Sequence, residues 1–324
     1  MCTLKCITKT PKGKGTMADK ESVVLTEQII NETHTQMVER IDLEDVATKI
    51  GIPVSEIRAT FEVAVAESRQ TLMVLSDMAF PPSARILEVG AGYGLASICL
   101  AMLGFEVTAL EPGGVGFEKN KDSLSNFSAF CGVHVSQLSE KAEEVDFTTM
   151  KKFDLIISNN VLEHVESVEK TLRNLETALV PTGIMVHSCA NYTFPFEPHF
   201  GIPLIPLRPT LTRFFLPKSI TNTGVWKSLN FITAAQVRRN ANLLGLECVF
   251  RKGTMVQSIR RLQTDMQFSI RHPFLTKLVS ITKVNNLLTK CSSVPTRFAT
   301  PMDFLLYKTS SEEGENLRLW RKTR

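Results

Sequence analysis

The sequence predicts an α/β fold: a doubly wound, mostly parallel sheet of about seven strands, with an N-terminal helical cap and two long insertions. Three observations carry that prediction. The run RILEVGAGYGLASICL takes an apolar strand through Gly90, Gly92 and Gly94 directly into a helix. Glu111 ends a second apolar run about twenty residues beyond the first glycine. After Pro81 and Pro82 the pattern changes from helical periodicity to short apolar runs alternating with helical stretches, as strands joined by crossover helices require.

The elements follow in order. Residues 1–20 read as a flexible basic leader carrying Lys5, Lys9, Lys12, Lys14 and Lys20; they lack the apolar centre of a signal peptide, and Met17 is an alternative start. The helical cap spans 21–82, with Val24, Ile29, Ile30, Met37 and Ile41 at helical spacing. Asp42 is the N-cap of a short helix that Gly51 and Pro53 end, and Ser55 is expected to cap the next, which carries Ile57, Phe61, Val65 and Leu72. The main domain spans 83–324. Its first unit is strand 85–89, helix 95–103 and strand 105–110, and further strands are expected at 133–135, 153–158, 184–188, 246–250 and 304–307. Helices are expected at 118–130, 168–179 and 234–244, the last capped by Thr233 and stopped by Gly245. The segments 191–232 and 256–301 exceed what a connection needs and are the two acceptor-side insertions.

Composition excludes some classes. With 43% hydrophobic and 22% charged residues, the chain has a globular balance that rules out wholesale disorder, and no apolar run reaches membrane-span length. Seven cysteines without a CxxC pair argue against a disulfide framework or a zinc cluster, and favour reduced thiols in the cytoplasm. The net charge of +4 is too mild to name a partner, but its distribution is uneven. No acidic residue lies between Glu197 and Glu247, where Arg208, Arg213, Lys218, Lys227, Arg238 and Arg239 fall, or between Asp265 and Asp303, where Arg271, Lys277, Lys283, Lys290 and Arg297 fall. These stretches suit an anionic acceptor or peripheral contact with an anionic membrane, unless the cations pair in space with the acidic first half.

Glycines at the first strand-to-helix turn allow a sharp bend and close backbone approach to a ligand, while helix-start N–H groups meet its polar atoms. A dinucleotide fold places a third glycine three residues after the second, where this chain has Leu95. Glycine at alternate positions after Glu88 resembles instead the first motif of class I S-adenosylmethionine-dependent methyltransferases. From about residue 85 to 191 the sequence resembles that family, and in FDLIISNNVLEHV the branch with a LEHV-type motif that includes ubiquinone and menaquinone methyltransferases. The resemblance implies a Rossmann-like sheet, S-adenosyl-L-methionine as cofactor, and methyl transfer as the activity. It assigns Glu88, Gly90, Gly92, Gly94, Glu111, Ala142 and Asn159 to the cofactor, with Glu111 on the ribose and Lys141 and Ala142 beside adenine. Lys141 stands where the family commonly has an acid, so only backbone contact through Ala142 is expected there.

On the acceptor side, Asn160 ends the fourth strand and His164 follows it as candidate base or aligner for an oxygen nucleophile, with Glu163 as an orienting carboxylate. NYTFPFEPHFGIP adds Tyr192, Glu197 and His199 as substrate-binding candidates, in a loop that reads equally as an acceptor lid or as rigid packing. Glu197, His199 and His164 are metal-ligating types without close spacing, and no metal is expected. The chain lacks the proline-proline-aromatic and Pro-Cys signatures of nucleic-acid methylating relatives, which leaves a small-molecule, glycan or lipid-linked acceptor and no nucleic acid. The alternative is a DNA-binding or regulatory protein, from the helix-turn-helix spacing of LEDVATKIGIPVSEIRATF.

Overall fold

The computed structural model describes residues 22–113, 120–264, 266–281, 294–308 and 320. The leader 1–20 with Met17, and Lys283 and Lys290 of the second insertion, lie outside the described residues. Seven strands hydrogen-bond in the order β10-β11-β7-β6-β3-β4-β5, which are Leu246–Phe250, Met302–Lys308, Leu179–Cys189, Phe153–Asn159, Arg85–Val89, Glu106–Leu110 and Ser136–Leu138. By internal contacts the chain forms two compact units, 1–140 with 151–157 and 313–320, and 141–150 with 158–312 and 321–324.

In the first unit, β1 (Val23–Val24) and β2 (Ala79–Phe80) pair antiparallel around α1 (Glu27–Arg40), α2 (Leu43–Ile50) and α3 (Val54–Val74). The sequence reading has only helices here; the pairing is long-range and leaves no two-residue alternation to detect. Thr26 caps α1, Asp42 caps α2 by accepting from Glu44 and Asp45 N–H, and Gly51 ends α2 at φ 69°. The expected Ser55 cap is corrected: α3 starts at Val54 behind Pro53, whose fixed φ sets the helix entry without a side-chain bond. The helix-turn-helix reading gains no support: α3 buries Ile57, Phe61 and Leu72, and the exposed side of this pair mixes Glu44, Glu56 and Glu62 with Lys49 and Arg58 rather than forming a basic face.

Strands β3, β4 and β5 run parallel, with α4 (Leu95–Met102) and α5 (Asn120–Cys131) as crossovers. β5 forms at Ser136–Leu138, three residues later than expected. Gly132 at φ 67° turns the chain out of α5, so Val133 to Val135 are spent on the connection and only then does pairing with β4 begin. The floor of β3 is fixed by Arg85, whose N–H donates to Asp154 (2.8 Å) and whose guanidinium donates to the Lys152 carbonyl (2.8 Å) and Glu106 (3.0 Å).

In the second unit β11 lies antiparallel between β7 and β10. α6 (Val168–Ala178) is capped by Ser167, and α9 (Ala234–Leu243) carries a full capping box between Thr233 and Gln236. The first insertion is ordered: β8 (Phe196–Glu197) and β9 (Ile202–Pro203) pair, a 3-10 turn follows at Pro209–Phe215, then α7 (Lys218–Thr221) and α8 (Gly224–Ser228). A run of ring contacts, Tyr192 on Phe231, Phe231 on Trp226 and Trp226 on Phe200, at 5.2, 5.9 and 6.2 Å, packs it together. The second insertion begins with α10 (Thr254–Thr264), α11 (Met266–Arg271) and α12 (Pro273–Ile281).

Candidate active site

The glycine turn is built by backbone bonds from β3 to β4. Gly90 and Ala91 N–H groups donate to the Leu110 carbonyl at 2.7 and 3.2 Å, so the loop leaves the sheet edge at a fixed height. Gly92 (φ 55°) and Gly94 (φ 69°) adopt left-handed backbone that side chains disfavour. A Cβ on Gly94 would sit 2.2 Å from Leu124 Cδ1, whereas a Cβ on Gly92 would meet nothing within 4 Å. Gly94 is therefore glycine for helix packing, and the Gly92 face of the turn is open to a ligand.

Two carboxylates hold this turn. Glu111 accepts the Gly92 N–H at 2.8 Å and the Gly113 N–H at 3.2 Å, one on each oxygen. Glu88 is buried and accepts both the N–H (2.9 Å) and the hydroxyl (2.5 Å) of Ser97, tying β3 to the first turn of α4. Burial raises its pKa to about 7, against the two Ser97 bonds that favour the charged form.

In the second unit, Ala142 is buried, and its carbonyl accepts from Asn174 Nδ2 at 2.7 Å while the Val145 carbonyl takes the other bond at 2.8 Å. Lys141 is held by Glu166 at 2.5 Å on the surface. Asn159 ends β6, and Asn160 follows in left-handed backbone (φ 55°) with its N–H on the Ser188 carbonyl at 2.9 Å.

Four further side chains converge. Glu163 has no exposed surface; its Oε1 accepts the Ala190 N–H at 3.2 Å and its Oε2 has no partner among the described residues. Burial raises its pKa to about 7. His164 places Nδ1 2.8 Å from Ser228 Oγ and Nε2 3.4 Å from His199 Nε2. Burial lowers its pKa to about 4, with the neighbouring His199 adding to the effect. His199 Nδ1 lies 2.6 Å from Glu197 Oε1, which also accepts the Tyr192 hydroxyl at 3.2 Å, while Glu197 Oε2 accepts the Phe200 N–H at 2.8 Å. Burial opposes ionisation of Glu197, but the His199 and Phe200 bonds outweigh it and its pKa falls.

His164, Tyr192, Glu197 and His199 are thus brought together, and Glu163 joins them; among the described residues Asn160 makes no hydrogen bond to this cluster. Sequence reasoning missed Ser228 and Asn230. Asn230 donates to the Leu162 (2.7 Å) and Val165 (2.9 Å) carbonyls and its N–H donates to the Glu163 carbonyl (2.9 Å), which sews the end of the insertion onto the LEHV turn. An asparagine followed by an aromatic inside an acid-free loop carries no distinctive local signal. Glu163, His164 and His199 offer ligand atoms that all lie within 4.8 Å of one another and are the residues able to hold a metal among those described.

A family model described as "Methyltransferase domain" matches residues 64–249. An uncharacterized Mycobacterium tuberculosis protein is 35% identical over 198 residues, covering 59% of this chain and 67% of its own. A ubiquinone biosynthesis O-methyltransferase from Rickettsia bellii is 34% identical over 108 residues, 33% of this chain and 42% of that relative, so the match spans less than half of the relative's length. Among solved structures, phosphoethanolamine N-methyltransferase 2 from Haemonchus contortus, in complex with S-adenosyl-L-methionine, has a TM-score of 0.42 at 13% identity, covering 76% of this chain and 51% of that one.

Proposed function

Because the chain belongs to the methyltransferase-domain family and is a class I S-adenosylmethionine-dependent enzyme, we propose that it transfers the methyl group to a hydroxyl oxygen of a small-molecule, glycan or lipid-linked acceptor. S-adenosylmethionine supplies the methyl as a sulfonium, and the described residues fit it. The open face at Gly92 accepts a ligand against bare backbone, and Glu111, at the end of β4 beside that turn, is proposed to accept from ribose hydroxyls. Gly90 and Gly94 shape that turn and Glu88 positions it through Ser97; Ala142 and Asn159 are assigned to the cofactor by the family resemblance alone.

The observation that carries the oxygen acceptor is the histidine pair. His164 is held neutral at ordinary pH by burial, with Ser228 fixing its ring, and is proposed to accept a proton from the hydroxyl or to align it. Tyr192, Glu197, His199 and Asn160 are proposed to line the acceptor's place. The O-methyltransferase relative supports this choice over nitrogen. Mass spectrometry of extracts incubated with the full chain and methyl-labelled cofactor tests it: label on an oxygen is expected, and label appearing only on nitrogen or carbon would overturn it.

A second reading, peripheral contact with an anionic membrane, has its own observation. In the acid-free stretch, Leu207, Phe214 and Phe215 are 99%, 67% and 80% exposed, beside Arg208, Arg213 and Lys218. Apolar side chains beside cations can enter a headgroup layer. No helix among the described residues is long and apolar enough to cross a membrane. We read the enzyme as cytoplasmic, which the free thiols of Cys99, Cys131 and Cys189 support.

A further inference from the structure

We propose that Glu163, His164 and His199 form a binding site for a divalent transition-metal ion, with one carboxylate and two imidazole Nε2 atoms as ligands. The proton positions lead to it. Ser228 Oγ lies 2.8 Å from His164 Nδ1 and 2.9 Å from the Val225 carbonyl, to which its hydroxyl donates, so it is placed to accept from Nδ1. His199 Nδ1 faces the Glu197 carboxylate at 2.6 Å, and an ionised carboxylate only accepts, so Nδ1 carries the proton there as well. The two Nε2 atoms face each other at 3.4 Å. An ion lying beside this contact would meet both ring nitrogens, and the Glu163 ligand oxygen lies within 4.8 Å of them.

The spacing suits a metal rather than a shared proton alone. Ligand nitrogens at about 2.0–2.1 Å from a tetrahedral ion are about 3.3–3.4 Å apart, and the His164 and His199 nitrogens are 3.4 Å apart. The third ligand is supplied by the buried Glu163 carboxylate, whose Oε2 lacks any partner among the described residues. A buried carboxylate oxygen left unpaired is costly, and a cation removes that cost.

The outer contacts agree. Metal-bound histidines characteristically donate their other N–H to a carboxylate or other fixed oxygen, which orients the ring and raises its basicity. Glu197 does this for His199 and Ser228 for His164. Glu197 itself is engaged by Tyr192, His199 and Phe200, which makes it an outer carboxylate rather than a ligand. The His199 side chain is 27% exposed while that of Glu197 is fully buried, so an ion can approach from the His199 side. Two histidines and one carboxylate leave coordination positions open. A hydroxyl oxygen bound there releases its proton to solvent more readily, and His164 then acts as ligand and aligner rather than as the base.

The inference deepens the proposed acceptor chemistry but stands on geometry alone, so it is tested by binding. The full chain, stripped with a chelator, is titrated with Co2+, and the visible ligand-field absorption is followed before competition with Zn2+. One ion per chain is expected, displaced by Zn2+. Affinity should fall at least tenfold in Glu163→Gln and His199→Ala, about 10–100-fold in Glu197→Gln, and not at all in His134→Ala. Wild-type protein that gives no stoichiometric binding or no ligand-field band overturns the site, whatever the variants do; so does binding indifferent to Glu163→Gln and His199→Ala in folded protein. Should either variant fail to fold, a rise of wild-type melting temperature with Zn2+ that Ser228→Ala weakens decides the matter, and absence of any rise counts against the site. Methyl transfer in stripped protein without metal binding would remove the site and leave the proposed function standing. Metal binding with label only on nitrogen or carbon would do the reverse.

Discussion

Gly92 and Glu111, nineteen residues apart, are joined by a hydrogen bond of 2.8 Å from the Gly92 N–H to the Glu111 carboxylate. The acid at the end of β4 therefore braces the glycine turn beside the proposed ribose position. Removing it should loosen both. Glu111→Ala should lower S-adenosylmethionine affinity by about tenfold or more, since a hydrogen bond to a charged group contributes about 1.5–3 kcal/mol. Gly92→Val should lower it further, because a β-branched residue at φ 55° distorts the turn. Calorimetric titration checks both, and unchanged affinity in a folded variant would count against the cofactor assignment.

Gly94 makes a different prediction. A Cβ there would lie 2.2 Å from Leu124 Cδ1 on α5, in backbone at φ 69°. Gly94→Ala should cost about 1–3 kcal/mol of stability from overpacking. Urea unfolding measures the loss, and Leu124→Ala in the same background should show a favourable coupling, because it clears the clash. Strict additivity of the two changes would sink the packing explanation.

Glu88 gives the pH dependence of stability. Its folded pKa of about 7 stands above the ordinary value of 4.5, chiefly through burial. The native state therefore holds a proton that the unfolded chain has released between those values. The contribution is fully present below the unfolded value and is lost as pH rises from about 4.5 through about 7. Glu88→Gln should flatten that part of the stability profile. Denaturant melts of both proteins across this range test it, and parallel profiles would refute the role.

His164 separates turnover from cofactor binding. Its contacts are to Ser228 and His199, both within the proposed acceptor cluster. His164→Ala should lower turnover by about 10²–10⁴-fold, with S-adenosylmethionine affinity nearly unchanged. An equal loss of both quantities would demote His164 to a structural residue.

The exposed edge of the first insertion predicts salt-sensitive lipid binding. Flotation with anionic liposomes should retain wild type at low ionic strength and release it at high, because cation contacts are screened within about 8 Å at physiological salt. Changing Arg208, Arg213 and Lys218 to Ser should abolish retention, and neutral liposomes should retain little. Indifference to lipid charge at every salt concentration would exclude the membrane reading.

What the sequence determined by itself is local. The strand, glycine turn and helix from Arg85 to Met102 are legible because each conformation depends on neighbouring residues: apolar alternatives for the strand, missing Cβ atoms for the turn, and α4 following directly. Glu111 was legible because a parallel βαβ unit has a fixed length, which sets where its second strand ends. The caps at Thr233 and Asp42 are equally local. The β1–β2 pair and the position of β5 were not legible, since short strands are defined by a distant partner rather than by their own pattern.

Only the tertiary structure decided which side chains of the proposed acceptor cluster meet. His199 lies 35 residues from His164, and Ser228 lies 64 from it, yet both bond its ring. Asn230, which no motif marks, brings the insertion back to the LEHV turn through the Leu162 and Val165 carbonyls. The sequence supplied Glu163, His164, Glu197 and His199 as chemistry, but not how the two carboxylates would differ in their partners. Burial and hydrogen-bond saturation separate them: both oxygens of Glu197 are engaged, and among the described residues one oxygen of Glu163 is not. Such saturation is a property of three-dimensional packing, because it depends on which N–H and O–H groups the fold delivers to each oxygen.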